Sequence, residues 1–254
     1  MTIMRNTLGI KVYGPVLADD DSRPIAVVHA MEHALPGVRL EWTVTHDHQI
    51  PHLPQRDAWL AKARRSGDYG GFPLVCNNDE RYAVTIFGSA ISAMSGPGRQ
   101  ALFNVHAELP LDAGTIAAAA DLLEGVAEGA HAYWGHATPF RASVEIAEQT
   151  IHPRTPKLPP RGLPGLNLPE KIRSPEIPHR LGWLNYWAAA AAKAIGFPDP
   201  ARDAELLSRA RRTSGGGWVV PLTEAPLELD NPAHLDALKR AYERFPEIGG
   251  RAVP

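Results

Sequence analysis

The sequence predicts an α+β fold in which an antiparallel sheet carries helices on one face and a smaller, mainly helical part follows. Alternating apolar and polar residues in the first 110 positions are typical of half-buried strands. A later stretch with apolar residues at helical spacing indicates a long amphipathic helix. Prolines recur from 152 to 178, where they oppose both helix and sheet pairing. We therefore predict an α+β domain over 1–150, a proline-rich connector over 151–178 and a mainly helical part with one strand over 179–254.

Five strands and two helices are predicted in the first 110 residues. The predicted strands are 8–14, 38–44, 72–76, 82–87 and 101–108. The first helix is predicted to follow Ser22, a residue type that caps helices, with Pro24 in its first turn, and to stop near Leu35. A second, short helix is predicted over 55–65, before a Ser-Gly pair.

The remaining predicted elements follow residue 110. Asp112 is predicted to cap a long helix whose apolar stripe reaches Tyr133, with Gly135 just beyond its end. The elements predicted after it are a strand over 142–147, a helix over 183–194, a helix opened by Asp199, a strand over 218–222 and a helix from the N-cap Asn231 to Phe245.

Composition disfavours several classes of partner. The chain has 254 residues and a formal net charge of −2, which argues against a nucleic-acid-binding face of clustered cations. Its single cysteine, Cys76, cannot form an intramolecular disulfide. The first seven residues turn polar before a signal-peptide core develops, and the apolar run 183–197 is too short to span a bilayer. We expect a cytoplasmic protein without a nucleic-acid or membrane partner, and the oligomeric state stays open.

One motif has the spacing of a zinc site. His29, Glu32 and His33 form an H-x-x-E-H pattern, in which two imidazoles bind zinc and the glutamate polarises a water molecule. The apolar stripe of the same helix includes Val27 and Met31, which places the motif on the flank and the solvated side. We therefore predict no metal and no cofactor, and a metal-dependent hydrolase is the alternative function.

Three further features are interpreted as structural. His46, His48 and His52 share one loop, but no further Asp or Cys follows at a spacing that would close a metal site. Cys76 lies in an apolar strand, where a lone thiol is usually a packing group and not a nucleophile. The stretch 214–217 precedes a strand and lacks the Lys-Ser/Thr ending of a phosphate-binding loop, which indicates a turn.

Two groups of residues are candidates for contact with a partner protein. Asp19, Asp20 and Asp21 form an acidic run that suits a basic surface, although a solvated loop before a helix explains the same run. On the predicted helix, Trp183, Tyr186 and Trp187 share one face, which indicates core packing or partner contact, and Asn185 points away. The candidate partner-binding residues are Asp19, Asp20, Asp21, Trp183, Asn185 and Tyr186.

Two resemblances connect the chain to known families. Residues 182–186 read Gly-Trp-Leu-Asn-Tyr, which resembles the signature of immunity proteins from type VI secretion and polymorphic-toxin systems. Nearly the whole chain is similar to an uncharacterised bacterial family, through residues 39–42, 72–77, 79–82 and 216–220. The second resemblance implies no activity. The first implies an immunity protein that binds and neutralises a co-encoded toxin, and a purely structural or scaffold protein is a third possibility.

Overall fold

A single antiparallel sheet forms the centre of the protein. The computed structural model describes residues 6–63, 71–154 and 157–252. Its strands are β1 (Thr7–Pro15), β2 (Trp42–Thr43), β3 (Phe72–Cys76), β4 (Thr85–Ile91), β5 (Leu102–Pro110), β6 (Trp134–Pro139), β7 (Leu184–Trp187), β8 (Arg211–Arg212) and β9 (Trp218–Pro221). They lie in the order β2-β3-β4-β5-β1-β6-β7-β9-β8, and all neighbours are antiparallel. The predicted α+β class with an antiparallel sheet is confirmed.

The helices lie in the connections between these strands, except for the last helix, which follows the last strand. They are α1 (Arg23–Ala34), α2 (Arg56–Ala63), α3 (Ala113–Gly129), α4 (Phe140–Ala147), α5 (Ala189–Ala194), α6 (Ala204–Leu207) and α7 (Pro232–Arg244). Short 3-10 turns lie at Pro97–Arg99, Pro160–Gly162, Pro169–Lys171 and Ile248–Gly250. Across the described ranges, no helix is both long enough and apolar enough to cross a membrane.

Helices α1 and α3 cover the first face of the sheet. The alternation of β1 places Ile10 and Val12 on this face, where both are fully buried. The two helices approach closely, because a Cβ atom at Gly129 of α3 would lie only 3.1 Å from the backbone of Ala26 in α1. Two acidic residues of α3 pair with Arg211 of β8 at 2.6 and 2.7 Å. Helix α3 therefore spans the sheet from β1 to its far edge.

The second face carries two rows of side chains that cross neighbouring strands. The polar row follows the pairing of β5, β1, β6 and β7 and consists of His106, Lys11, His136 and Asn185. The aromatic row lies two residues further along β1 than the polar row and consists of Tyr13, Trp134, Trp187 and Trp218. Because strand side chains alternate between faces, both rows project away from α1 and α3.

The C-terminal part covers one end of this second face with an aromatic cluster. Trp187, which is 1% exposed, meets the rings of Phe197 and Phe245 edge to face, with centroids 5.1 and 5.3 Å apart. Phe197 also meets Trp218 at 5.4 Å. Such edge-to-face pairs add to the stabilisation that burial alone provides.

The segment predicted as a helix over 183–194 is a strand followed by a short helix. Residues 184–187 form β7, which pairs with β6 and β9, and α5 begins only afterwards. The prediction that Trp183, Tyr186 and Trp187 share one helical face is therefore wrong. Tyr186 faces α3, and Trp187 faces the aromatic cluster. Pairing with two neighbouring strands outweighs helical spacing here, and strands accommodate Trp and Tyr well.

The end of α3 also differs from its prediction. The helix stops at Gly129, and β6, which the apolar spacing did not predict, begins five residues later. His131 adopts a left-handed φ of +51°, so the chain leaves the helix before Tyr133. Gly135 lies inside β6, where a Cβ atom would approach the Lys11 carbonyl oxygen to 2.8 Å. The glycine therefore permits close strand packing and does not end a helix.

Several other predicted elements are replaced, shortened or shifted. The strand predicted over 142–147 is wrong, because α4 occupies this segment and buries side chains four residues apart. Only two residues of the strand predicted over 38–44 are in β2. β4 begins at Thr85 instead of 82, since the Asn77 side chain hydrogen-bonds the backbone of the preceding turn at 2.7 and 3.0 Å. Helix α6 begins five residues after Asp199.

The other predicted elements are confirmed within a few residues. These are the strands at 8–14, 72–76, 101–108 and 218–222 and the helices opened near Ser22, Gln55, Asp112 and Asn231. Asp112 and Asn231 cap their helices by accepting backbone hydrogen bonds at 2.8 and 3.0 Å, whereas the Ser22 side chain makes no such bond. The last two residues of the helix predicted over 55–65 and residues 1–5 lie outside the described residues.

Strands from both predicted parts of the chain lie in one sheet. β6 belongs to the predicted 1–150 domain and β7 to the predicted 179–254 part, and they are direct neighbours. The connector is attached to the first part, because the Leu166 N–H donates to the Gln149 carbonyl oxygen at 2.8 Å. The division into separately folding units stays a prediction.

Replacing Trp187 with alanine should lower the free energy of unfolding by about 3–5 kcal/mol, the usual cost of removing a fully buried aromatic side chain. Equilibrium urea unfolding measures this loss. Phe140→Ala is the matched control, because Phe140 is 43% exposed, and it should change stability by less than about 0.5 kcal/mol. A Trp187→Ala variant as stable as the wild type would show that the aromatic cluster is not part of the core.

Candidate functional site

The predicted acidic run forms a turn between β1 and α1. Asp19 and Asp20 are exposed at this turn, and Asp20 has a left-handed backbone with φ +57°. The Asp21 carboxylate accepts hydrogen bonds from the backbone N–H groups of Ala18 and Arg23, both at 3.0 Å. The first two carboxylates are thus displayed to solvent, while the third holds the turn together.

An ion pair with Arg23 anchors Asp21. The Arg23 guanidinium, on a residue only 6% exposed, lies 2.6 Å from the Asp21 carboxylate. It also donates to the carbonyl oxygens of Pro15, Val16 and Ala130 at 2.8, 2.9 and 3.2 Å. Burial raises the pKa of Asp21, but hydrogen bonds from Arg23 and Ala18 and the charge of Arg23 lower it further, to about 2. The acidic turn is therefore fixed to the ends of β1 and α3.

The other candidate partner residues, Trp183, Asn185 and Tyr186, are buried. The Trp183 indole N–H donates to the Thr223 carbonyl oxygen at 3.0 Å. Asn185, which is 1% exposed, hydrogen-bonds the backbone of Gly182 and the carbonyl oxygen of Val220. The Tyr186 hydroxyl donates to Glu128 of α3 at 3.3 Å. Burial and the Glu128 carboxylate raise the pKa of the Tyr186 hydroxyl. This burial supports core packing, and direct contact of these three side chains with a partner stays a prediction.

The H-x-x-E-H motif is engaged in contacts within the fold. The Glu32 carboxylate accepts a hydrogen bond from the Leu40 N–H at 2.7 Å and forms an ion pair with Arg56 of α2. His29 lies 2.9 Å from an aspartate of α2, and His33 is exposed. Across the described ranges, no group of three or more His, Cys, Asp and Glu side chains is placed to hold a metal ion. Glu32 joins α1, α2 and the following loop and does not face an open coordination site.

The histidine loop, Cys76 and the turn over 214–217, which were interpreted as structural, are either exposed or in contact with other residues of the fold. His46 and His48 are exposed, and His52 lies 3.7 Å from a neighbouring glutamate. Cys76 is buried in β3. The turn over 214–217 hydrogen-bonds the Glu128 carboxylate through a serine hydroxyl and a glycine N–H at 3.3 and 3.2 Å. Its anion-binding capacity is thus used inside the protein.

A cavity of about 400 Å³ lies at the second face of the sheet, and no sequence motif indicated it. The rings of Tyr13 and Trp134, stacked with centroids 4.2 Å apart, form one side. The connection between β4 and β5, the end of α4 and the proline-rich connector supply the other sides. We refer to it as the Arg180 cavity, after the residue that contributes its charge; Leu102, Thr150 and Leu168 also line it.

Buried polar atoms without a partner are concentrated at the Arg180 cavity. Three of its lining side chains have such an atom: Trp134 Nε1, Thr150 Oγ1 and Arg180 Nε form no hydrogen bond with any described residue. The same holds for His136 Nε2, two residues along β6. Buried polar groups in folded proteins are nearly always hydrogen-bonded. A cluster of exceptions around one cavity therefore marks a candidate binding site.

Arg180 provides the positive charge at this cavity. His179 Nε2 donates to the Asn167 carbonyl oxygen at 3.0 Å, which leaves its Nδ1 to accept a hydrogen bond from Arg180 Nη2 at 3.3 Å. Burial and the charge of Arg180 lower the pKa of His179 to about 3 and also hold the pKa of His136 well below its usual value. Both imidazoles are therefore neutral at physiological pH. Within the described ranges, no carboxylate forms an ion pair with Arg180.

A family model described as Domain of unknown function (DUF5953) matches residues 19–253. The chain belongs to this family. The predicted resemblance of nearly the whole chain to an uncharacterised bacterial family is therefore confirmed. None of the curated proteins compared with this DUF5953 protein matches it.

A solved structure with the same fold comes from Pseudomonas aeruginosa. It is the T6SS protein PA0821, which superposes with a TM-score of 0.57 at 15% sequence identity. The match covers 94% of this chain and 72% of that chain. At this identity the similarity establishes the fold alone.

The Arg180 cavity was missed because its residues are far apart in the sequence. Tyr13, Trp134 and Arg180 come from β1, β6 and the end of the connector, and only the sheet register brings the first two together. One signal in the sequence was available. Lys11 and His136 are ionisable residues within mostly apolar strands, and such residues at aligned positions indicate a functional or buried polar face.

Asp21→Asn should lower the free energy of unfolding at pH 7 by about 2–3 kcal/mol, because the buried Arg23 guanidinium loses its charged hydrogen-bond acceptor. The folded-state pKa of about 2 lies below the usual 3.8, so this contribution is present above pH 4 and is lost as the pH falls toward 2.

Urea unfolding at pH 7, 4 and 2.5 measures this difference, which should shrink at the lowest pH. Asp236→Asn, at an exposed position on α7, is the charge-matched control and should change stability by less than about 0.5 kcal/mol. Equal stability of Asp21→Asn and wild type at pH 7 would mean that the ion pair does not anchor the turn.

Proposed function

We propose that this DUF5953 protein is an immunity protein associated with type VI secretion, which binds and neutralises a toxin encoded next to it. The observation that carries the proposal is the match of 94% of the chain to the fold of a T6SS protein. The Gly-Trp-Leu-Asn-Tyr motif at residues 182–186 supports it independently, because it resembles the signature of immunity proteins.

The acidic turn supplies the proposed contact with the toxin. Asp19 and Asp20 are exposed, and the anchored Asp21 holds the loop that presents them in one conformation. A preorganised pair of carboxylates costs less conformational entropy on binding than a mobile loop does. Opposite charge on a toxin surface would accelerate and orient association, with an effect that salt weakens.

The buried motif has a different proposed role. Trp183, Asn185 and Tyr186 connect β7 to its neighbours and to α3, so they maintain the sheet that supports the binding surface. This role requires no direct contact with the toxin. It also explains how a short motif serves an immunity protein while its side chains stay inside the fold.

Co-expression tests the proposed function most broadly. Cells that produce the toxin from the adjacent gene should survive when this protein is present, and the two proteins should co-purify with the toxin intact. If the adjacent gene product is not toxic, or if it does not bind, the immunity proposal is wrong.

The contact itself is tested with Asp19→Asn/Asp20→Asn. At low salt this variant should bind the toxin with an on-rate about threefold to tenfold lower, and thermal unfolding checks that it stays folded. The matched control is Asp236→Asn/Glu243→Gln, which removes two exposed charges from α7. Equal on-rates for the two variants would show that the acidic turn does not steer association, without bearing on neutralisation itself.

A further inference from the structure

The Arg180 cavity has the size and lining of a small-molecule site. Its volume of about 400 Å³ lies in the range of ligand pockets, which are mostly apolar with a few convergent polar groups. Leu102, Leu168 and the stacked Tyr13–Trp134 pair provide apolar and aromatic surface. The cavity therefore offers room for the body of an organic molecule and not only for an ion.

The polar groups of the cavity determine which chemical group of a ligand they can bind. Trp134 Nε1 is a donor without acceptor capacity, and Arg180 Nε is a charged donor of the same kind. The Thr150 hydroxyl can donate as well. None of these three atoms has a partner among the described residues, and each can donate, so a ligand that satisfies them must carry acceptor atoms.

The charge balance favours a single negative charge. His179 and His136 are neutral near pH 7, because burial and the charge of Arg180 disfavour their protonation. The guanidinium of Arg180 is held by His179 and contributes one full positive charge to the lining. Lys11, on which the charge of Arg180 acts, lies in the polar row of the same sheet face but does not line the cavity. A carboxylate matches the planar donor geometry of the Arg180 guanidinium and carries one charge, as the guanidinium does.

We propose that the Arg180 cavity binds a small monocarboxylate with an apolar body. Arg180 and Thr150 bind the carboxylate, and the Trp134 N–H donates a further hydrogen bond to it. The apolar body packs against Leu102, Leu168 and the stacked Tyr13–Trp134 pair. The site does not depend on the proposed immunity function, because no residue of the acidic turn lines the cavity.

Isothermal titration calorimetry with octanoate at pH 7.5 tests the proposal. Octanoate should bind the full-length protein with one site per chain and quench tryptophan fluorescence. Arg180→Gln should weaken binding by about 10- to 100-fold, since a charge-assisted hydrogen bond is lost. Thr150→Val, which keeps the side-chain shape, should weaken it by about twofold to tenfold and also serves if Arg180→Gln does not fold.

Controls distinguish the contribution of the carboxylate to binding from that of the apolar chain. Arg209→Gln is the matched arginine control, because Arg209 also has a buried Nε without a partner among the described residues but does not line the cavity, and octanoate affinity should be unchanged. 1-Octanol should bind more weakly than octanoate and be insensitive to Arg180→Gln. Equal binding of octanol and octanoate, tighter binding of inorganic phosphate, or no binding of octanoate would each overturn the proposal.

Discussion

The pairing of β6 with β7 determines how the two ends of this chain form one structure. Both strands are buried along their whole length, and each has a second neighbour, β1 for β6 and β9 for β7. A buried backbone N–H or C=O without a partner costs about as much as a lost hydrogen bond, so these strands have no acceptable unpaired state within the fold. The connector that separates them in sequence only needs to return the chain to the same sheet.

The register of this sheet sets the chemistry of its second face. It aligns Lys11, His106, His136 and Asn185 in one row and Tyr13 with Trp134 in the next. Desolvation lowers the pKa values of His106, His136 and His179, and the positive charge of Lys11, of Arg180 or of both lowers them further. A one-residue slip of β6 would move Trp134 and His136 to the face of α1 and α3. The proposed ligand site therefore depends on the same pairing as the fold.

Short-range sequence patterns predicted the elements that residues close in the sequence determine. The caps at Asp112 and Asn231, the alternation of β1 and the fold class needed only short-range patterns. The strands β6 and β7 could not be predicted in this way, because both are buried on both faces and do not alternate. The aromatic spacing in residues 183–187 fits a helix equally well, and only distant partners decide between the two. The cavity was missed for the same reason, whereas the acidic turn was found because its residues are consecutive.

Hydrogen–deuterium exchange measured by mass spectrometry tests the central claim most directly, namely that one sheet unites both parts of the chain. Amides of β6, β7 and β9 should exchange as slowly as those of β1 and become exposed together in the same global unfolding event. Faster exchange of β7, β9 and α7 as a separate unit, while β1 and β5 stay protected, would contradict the account. It would show instead that residues 179–254 fold as an independent domain.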